Sequence, residues 1–217
     1  MRALALILLS FVVTACARTP QPVVVPEPAH VYAAGVVPDS FVVRLATTKG
    51  DVDLLLRRNW APLGVGQFYE AVHANYYDGA RFFRAIRGFV VQFGIAAEPA
   101  ASAQWRTRTI QDDPVTESNR RGTVVFASGG PNTRTVQMFI NLRDNARLDG
   151  LGFPPIGEVI AGMEFVDALY TGYGDGGTAP DQGLLNREGE AYLAANFPLL
   201  DQITTARIVR AWGPATR

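Results

Sequence analysis

The sequence predicts a mainly β fold, an antiparallel barrel or sandwich with two short helices that lie far apart in the chain. Three observations predict it. From Ser40 onward the apolar residues fall into short runs rich in Val, Ile, Leu and Phe, some alternating with polar residues at the two-residue period of a strand. Turn signals containing Gly, Pro and Asn, such as "TKGD" and "GGPNTRT", divide the runs. Two segments place apolar residues at helical spacing instead. The 217 residues have room for one substantial domain plus extensions, and no internal repeat or heptad pattern is present.

Taken in order, "FVVRLATTKGDVDLLLRR" reads as a hairpin. Val43, Leu45 and Thr47 share one face, "TKGD" turns the chain, and Val52, Leu54 and Leu56 return. "PLGVGQFYEAVHANYY" sets Val65, Phe68 and Val72 on one side of a short amphipathic helix. "RFFRAIRGFVVQFG", residues 81–94, supplies two strands hinged near Arg87-Gly88. "GTVVFAS" and "QMFINL" are two more, "PPIGEVIAG" another, and "MEFVDALYTG" the second helix. After a Gly-rich loop and "EAYLAANFPLLDQI", "TARIVRAW" closes the sheet.

The N-terminus has a different character. "MRALALILLSFVVTACA" carries one early positive charge and an apolar run from Ala3 to Val13, then small residues before Cys16. That run is shorter than the roughly 20 residues a membrane span needs, and it fits a secretory signal peptide over residues 1–15. "VTAC" resembles a bacterial lipobox, which would make Cys16 the lipidated mature N-terminus; a plain signal peptide cut near Ala15 or Ala17 is the alternative. Cys16 is the single cysteine, so no internal disulfide can form and the fold must rely on its core. Residues 16–39 are Pro-rich and read as an extended tether, followed by a domain over residues 40–213. The expected location is the periplasmic side of a membrane. By resemblance, Ala17 rather than Asp after the cysteine favours the outer membrane.

Charge and candidate constellations exclude several classes. Twenty basic and twenty acidic residues cancel, so nothing argues for nucleic acid. The two histidines, His30 and His73, fall in the tether and on the first helix, which leaves no assembled triad and no metal set. "GYGDGG" at 172–177 follows a helix rather than a strand and reads as a flexible loop. Asp112 and Asp113 with Glu117 read as a solvated turn ending at Pro114. No cofactor is expected, and a monomer suffices.

Residues 81–94 raise the chemical question. By strand alternation, Arg84 shares a face with Phe82 and Ile86. A guanidinium among apolar neighbours costs free energy unless something pairs with it. The stretch is therefore either a core strand with an untidy edge or a site that needs an arginine in a dry groove.

Three ordered motifs bear on that choice. "YYDGARFFRAIRGFVVQFG" is similar to Y-D-G-x-x-F-H-R-V-I-x-x-F-M-x-Q-G-G, and "FASGGPNTRTVQMFINL" to M-A-x-x-G-P-N-T-x-x-S-Q-F-F-I. "RLDGLGFPPIGEVIAGMEFVD" resembles a segment in which L-D-G precedes F-G-x-V and G-M. From Phe41 to Trp212 the chain thus resembles the cyclophilin-type peptidyl-prolyl cis-trans isomerases, and "GLLNREGEAYLAANFPLLDQITTARIV" looks like an extension of some bacterial members. The resemblance implies an eight-stranded antiparallel β-barrel capped by two short α-helices, acting on proline-containing polypeptides outside the cytoplasm. A proline-peptide binding module with weak or no turnover is the alternative.

By the same resemblance, Arg84 is the catalytic arginine and Gln92 its partner. Phe89, Val90, Phe139 and Leu148 wall the proline pocket, and Phe153 takes a histidine position at the rim. Gln137 holds the substrate backbone or Arg84, while Ala127 and Ser128 flank the peptide track. Val90 stands where Met is usual, Arg147 where Trp is frequent, Ser128 where Asn is frequent, and Phe83 where His is common. Phe93 and Ile95 interrupt the usual Q-G-G-D.

Overall fold

A computed structural model describes residues 37–213; the predicted leader, Cys16 and the tether up to residue 36 lie outside the described residues. Eight strands form one antiparallel sheet: β1 Ser40–Thr47, β2 Gly50–Arg57, β3 Arg84–Ile86, β4 Val90–Phe93, β5 Thr123–Phe126, β6 Met138–Asn141, β7 Pro155–Ala161 and β8 Ile203–Trp212. Their order across the sheet is β3-β4-β6-β5-β7-β2-β1-β8. The sheet curls into a half-barrel, with β3 and β8 as its two edges. They do not pair along their length. The chain just before β3 meets the start of β8 instead, through the Arg81–Gln202 bridge and hydrogen bonds from Gly79 N to Ile203 O (2.8 Å) and Phe82 N to Asp201 O (3.0 Å).

The hairpin forms as its pattern dictates. Phe41, Val43 and Leu45 of β1 oppose Leu56, Leu54 and Val52 of β2, and all six are buried in the main core. Thr47, predicted on the same face, is only half-buried; its hydroxyl donates to Gly50 O (2.7 Å) and closes the turn. The predicted helices are α1, Pro62–His73, and α3, Met163–Asp167. Val65, Phe68 and Val72 of α1 are buried as their spacing requires, whereas His73 is exposed and lies against the Tyr69 ring.

Three helices escaped the pattern: α2 Pro99–Trp105, α4 Gln182–Glu188 and α5 Glu190–Asn196. Each has only seven residues, too few for the 3.6-residue period to stand out. A satellite cluster organises α4 and α5: Leu185 and Leu193 pack with Phe83, Ile95 and Leu200, outside the main core.

Of the two aspartates expected in a solvated turn, Asp112 is exposed but Asp113 is not. Asp113 is buried and accepts hydrogen bonds from Leu63 N (3.0 Å) and Gly64 N (2.8 Å), in the first turn of α1. A remote carboxylate thereby takes the place of a local N-cap, because Ala61 offers no acceptor side chain. Asp112 forms an ion pair with the buried Arg134. Asp113→Ala is expected to destabilise the protein by about 1–2 kcal/mol. Chemical denaturation checks this; a midpoint equal to wild type contradicts the capping role.

Candidate active site

The three-strand row β3-β4-β6 settles where Arg84 points. Register places Arg84 opposite Gln92, Gln92 opposite Phe139, and Phe139 opposite Val125. These four occupy one face of the sheet. The residues between them, Ala85, Val91, Met138, Ile140, Val124 and Phe126, face the main core. Phe82 belongs to that core too, in edge contact with Phe93, so it does not share a face with Arg84. The alternation expected across residues 82–86 breaks because β3 begins only at Arg84, after Phe82 and Phe83 have been drawn into two different clusters.

On the face opposite the core, Val90, Val125, Phe139 and Leu148 make a separate apolar cluster with Phe89, Ala127 and Phe153 packed against it. Six of the eight residues expected to bind substrate are therefore together: Phe89, Val90, Ala127, Phe139, Leu148 and Phe153. The Phe139 and Phe153 rings meet edge to face at 5.9 Å. Phe153 reaches the cluster as well.

Gln137 lies beside it, half-buried. Ser128 differs. Its hydroxyl donates to Gly130 O (2.6 Å) and accepts from Gly130 N (3.1 Å), so it is committed to the 128–133 loop rather than to the groove. Arg147, in the expected Trp place, sets its guanidinium 5.1 Å from the Phe89 ring centre.

A polar chain runs along the edge of the apolar cluster. Arg84 Nη1 donates to Gln92 Oε1 (3.1 Å), and Gln92 Nε2 donates to Gln137 Oε1 (2.9 Å). Gln92 is 6 % exposed, so its amide is held in a dry setting where such bonds strengthen. The rest of the Arg84 fork meets a residue that the sequence reading left unassigned. Nε donates to Asp175 Oδ1 (2.8 Å) and Nη2 to Asp175 Oδ2 (2.9 Å). The Arg84 guanidinium holds the Asp175 carboxyl down to about 2.

Behind the apolar cluster lies a second unforeseen feature, a network of buried amides. Asn145 Nδ2 donates to Phe89 O (3.1 Å) and Asn141 Oδ1 (2.7 Å); Asn141 Nδ2 donates to Asn119 Oδ1 (3.1 Å) and Thr123 Oγ1 (2.8 Å). Asn119 Nδ2 continues to Phe153 O (2.8 Å) and Asp149 Oδ1 (2.7 Å). The network thus ties down the backbone at Phe89 and Phe153, which both pack against the cluster. Burial alone would raise the Asp149 carboxyl, but the Ser118 and Asn119 hydrogen bonds outweigh it and hold the group below its usual range. From the opposite side, Arg134 donates to Gly152 O and lies 5.9 Å from the Phe153 ring centre. Of the carboxylate and amide side chains in this network, only Asp149 fell at a motif position, in "LDG". An Asn at a strand end carries no local sign of which amide it will meet.

A curled half-barrel carries an apolar cluster on the face opposite its main core, edged by an Arg–Gln–Gln chain of hydrogen-bonding side chains. Comparison with known proteins shows the family. The family described as cyclophilin type peptidyl-prolyl cis-trans isomerase matches residues 42–185. Peptidyl-prolyl cis-trans isomerase A of Dickeya dadantii is 33 % identical over 137 residues, covering 58 % of this chain and 70 % of that protein. A peptidyl-prolyl cis-trans isomerase of Acinetobacter baylyi is 31 % identical over 134 residues, covering 59 % of this chain and 71 % of that one. A crystal structure of a Cryptosporidium parvum cyclophilin type isomerase shares the fold, with a TM-score of 0.59 at 22 % identity over 81 % of this chain and 99 % of its own. This chain belongs to the cyclophilin-type peptidyl-prolyl cis-trans isomerase family.

Proposed function

We propose that this protein isomerises Xaa-Pro bonds in polypeptides outside the cytoplasm, from a lipid anchor at Cys16. The observation that carries the isomerase reading is the Arg84–Gln92–Gln137 chain running beside the Phe89, Val90, Phe139, Leu148 and Phe153 cluster. Rotation about the Xaa-Pro bond breaks amide resonance, at a barrier of roughly 18–20 kcal/mol. No bond is cleaved, so neither a nucleophile nor a proton-transfer group is needed. The apolar cluster takes the proline ring. Arg84 donates to the proline amide nitrogen, which becomes basic as the amide twists, or to the neighbouring carbonyl. Donation to a group whose basicity rises towards the transition state is selective stabilisation, and each ~1.4 kcal/mol gives about tenfold in rate. Gln137 and the backbone beyond β5 at Ala127 hold the peptide on either side. An Ala-Pro-Phe peptide assay tests this: cis-to-trans conversion should be accelerated by the protein, and a rate equal to that in buffer alone overturns the reading.

A binding module with little turnover is the second reading, favoured by Arg147 lying over Phe89 and by the small Val90 wall. Saturable binding of the peptide without acceleration selects it. The anchor rests on the "VTAC" sequence and the Pro-rich segment that follows. Cys16→Ser should move the protein from the membrane to the soluble fraction; equal membrane association in that variant contradicts the anchor.

A further inference from the structure

We infer that Asp175 is a positioning residue for Arg84, delivered by the "GYGDGG" loop as a clamp on the far side of the guanidinium from Gln92. This rests on the isomerase reading and adds a residue to it.

The geometry is specific. A guanidinium has five N–H donors in a rigid fork. Asp175 accepts from Nε and Nη2 and Gln92 accepts from Nη1, which leaves one donor on each terminal nitrogen uncommitted among the described residues. Asp175 therefore fixes the plane of the fork without consuming it. An arginine side chain carries about 2 kcal/mol of rotamer entropy, and a fork already held in place loses less of it on engaging the twisted amide of the transition state.

The loop is built to hold this position. Gly174 and Gly176, on either side of Asp175, have φ of 62° and 63°, in the left-handed region that a side chain resists. The Thr178 hydroxyl donates to Tyr173 O (2.7 Å) and Asp175 O (3.1 Å), tying the loop to itself. Tyr173 anchors its base, with ring centres 5.0 Å from both Tyr170 and Phe197. Between the loop and α4 lies a cavity of about 510 Å³, lined by Phe83, Arg84, Asp175, Pro180 and Gln182 among others. An open cleft thus separates the tip from α4, and the ion pair with Arg84 ties the tip to β3.

Asp175→Asn tests the clamp, with Asp175→Glu as the conservative control. The asparagine variant should lower kcat about tenfold with KM unchanged, and the glutamate variant should recover most of that loss. In an Arg84→Lys background, Asp175→Asn should change nothing further, because the fork it positions is absent. Arg84 Nε–H, assigned in nitrogen-edited NMR spectra by its disappearance in Arg84→Lys, should be sharp in the wild type and broadened by solvent exchange in Asp175→Asn. An unchanged Nε–H signal, or an unchanged kcat whether or not the melting temperature falls, overturns the inference. The NMR signal needs no turnover. A wild type that fails to accelerate isomerisation sinks the functional reading, while the signal still decides the clamp.

Discussion

Arg84→Ala lowers the isomerisation rate by about 10²–10³-fold, the range found when one preorganised hydrogen-bond donor is removed from an active site. The fold survives the change. Arg84 projects from the pocket face, away from the main core, and its ion pair is with a carboxylate that is 51 % exposed. Screened pairs of that kind contribute about 0–1 kcal/mol. Circular dichroism and a melting curve close to wild type, together with a peptide rate near that of solvent, are the expected pair of results. Arg84→Lys should fall between the two, since an ammonium is a point charge and cannot engage Gln92 and Asp175 as a fork does. A fully active Arg84→Ala protein contradicts the assignment of Arg84.

Gly94→Ala destabilises the protein by about 3 kcal/mol, combining the strain of a left-handed residue with overpacking. Gly94 directly follows β4 and has φ of 102°. A methyl group there would run into the Val136 carbonyl oxygen and lie 2.9 Å from Gln137 Cα. Both are main-chain atoms in the approach to β6, which cannot rotate aside as a side chain can. For a domain of this size, 3 kcal/mol corresponds to a fall in Tm of about 6–12 °C. Any relaxation shifts β6 against β4, and with it the Gln92–Gln137 hydrogen bond and Phe139. Surviving folded protein should therefore also show a raised KM. A melting temperature within a degree or two of wild type contradicts the close approach of these strands.

How much of this was legible in the sequence differs by residue. The β1–β2 hairpin was, because period-two burial and a two-residue turn are local properties of the chain. Helix α1 was too, since Val65, Phe68 and Val72 lie at helical spacing along a twelve-residue element. Helices α4 and α5 were not, because their burial depends on Phe83 and Ile95, about a hundred residues earlier in the chain. Arg84, Gln92 and Phe139 were recognisable through their motifs, although alternation put Phe82 on the wrong face. Ser128 carried the right motif position, yet its hydroxyl is turned into its own loop.

By itself the sequence determined the strands, the motif residues that the sheet gathers on one face and the family, because these depend on residue type and spacing within short segments. Only the tertiary structure decided what supports the pocket. Asp175 meets Arg84 across 91 residues, Asp113 meets Gly64 across 49, and Asn119 meets Phe153 across 34. A hydrogen bond between distant residues is set by where the folded sheet brings their backbones. A lone Asp or Asn carries no period or spacing that could announce it.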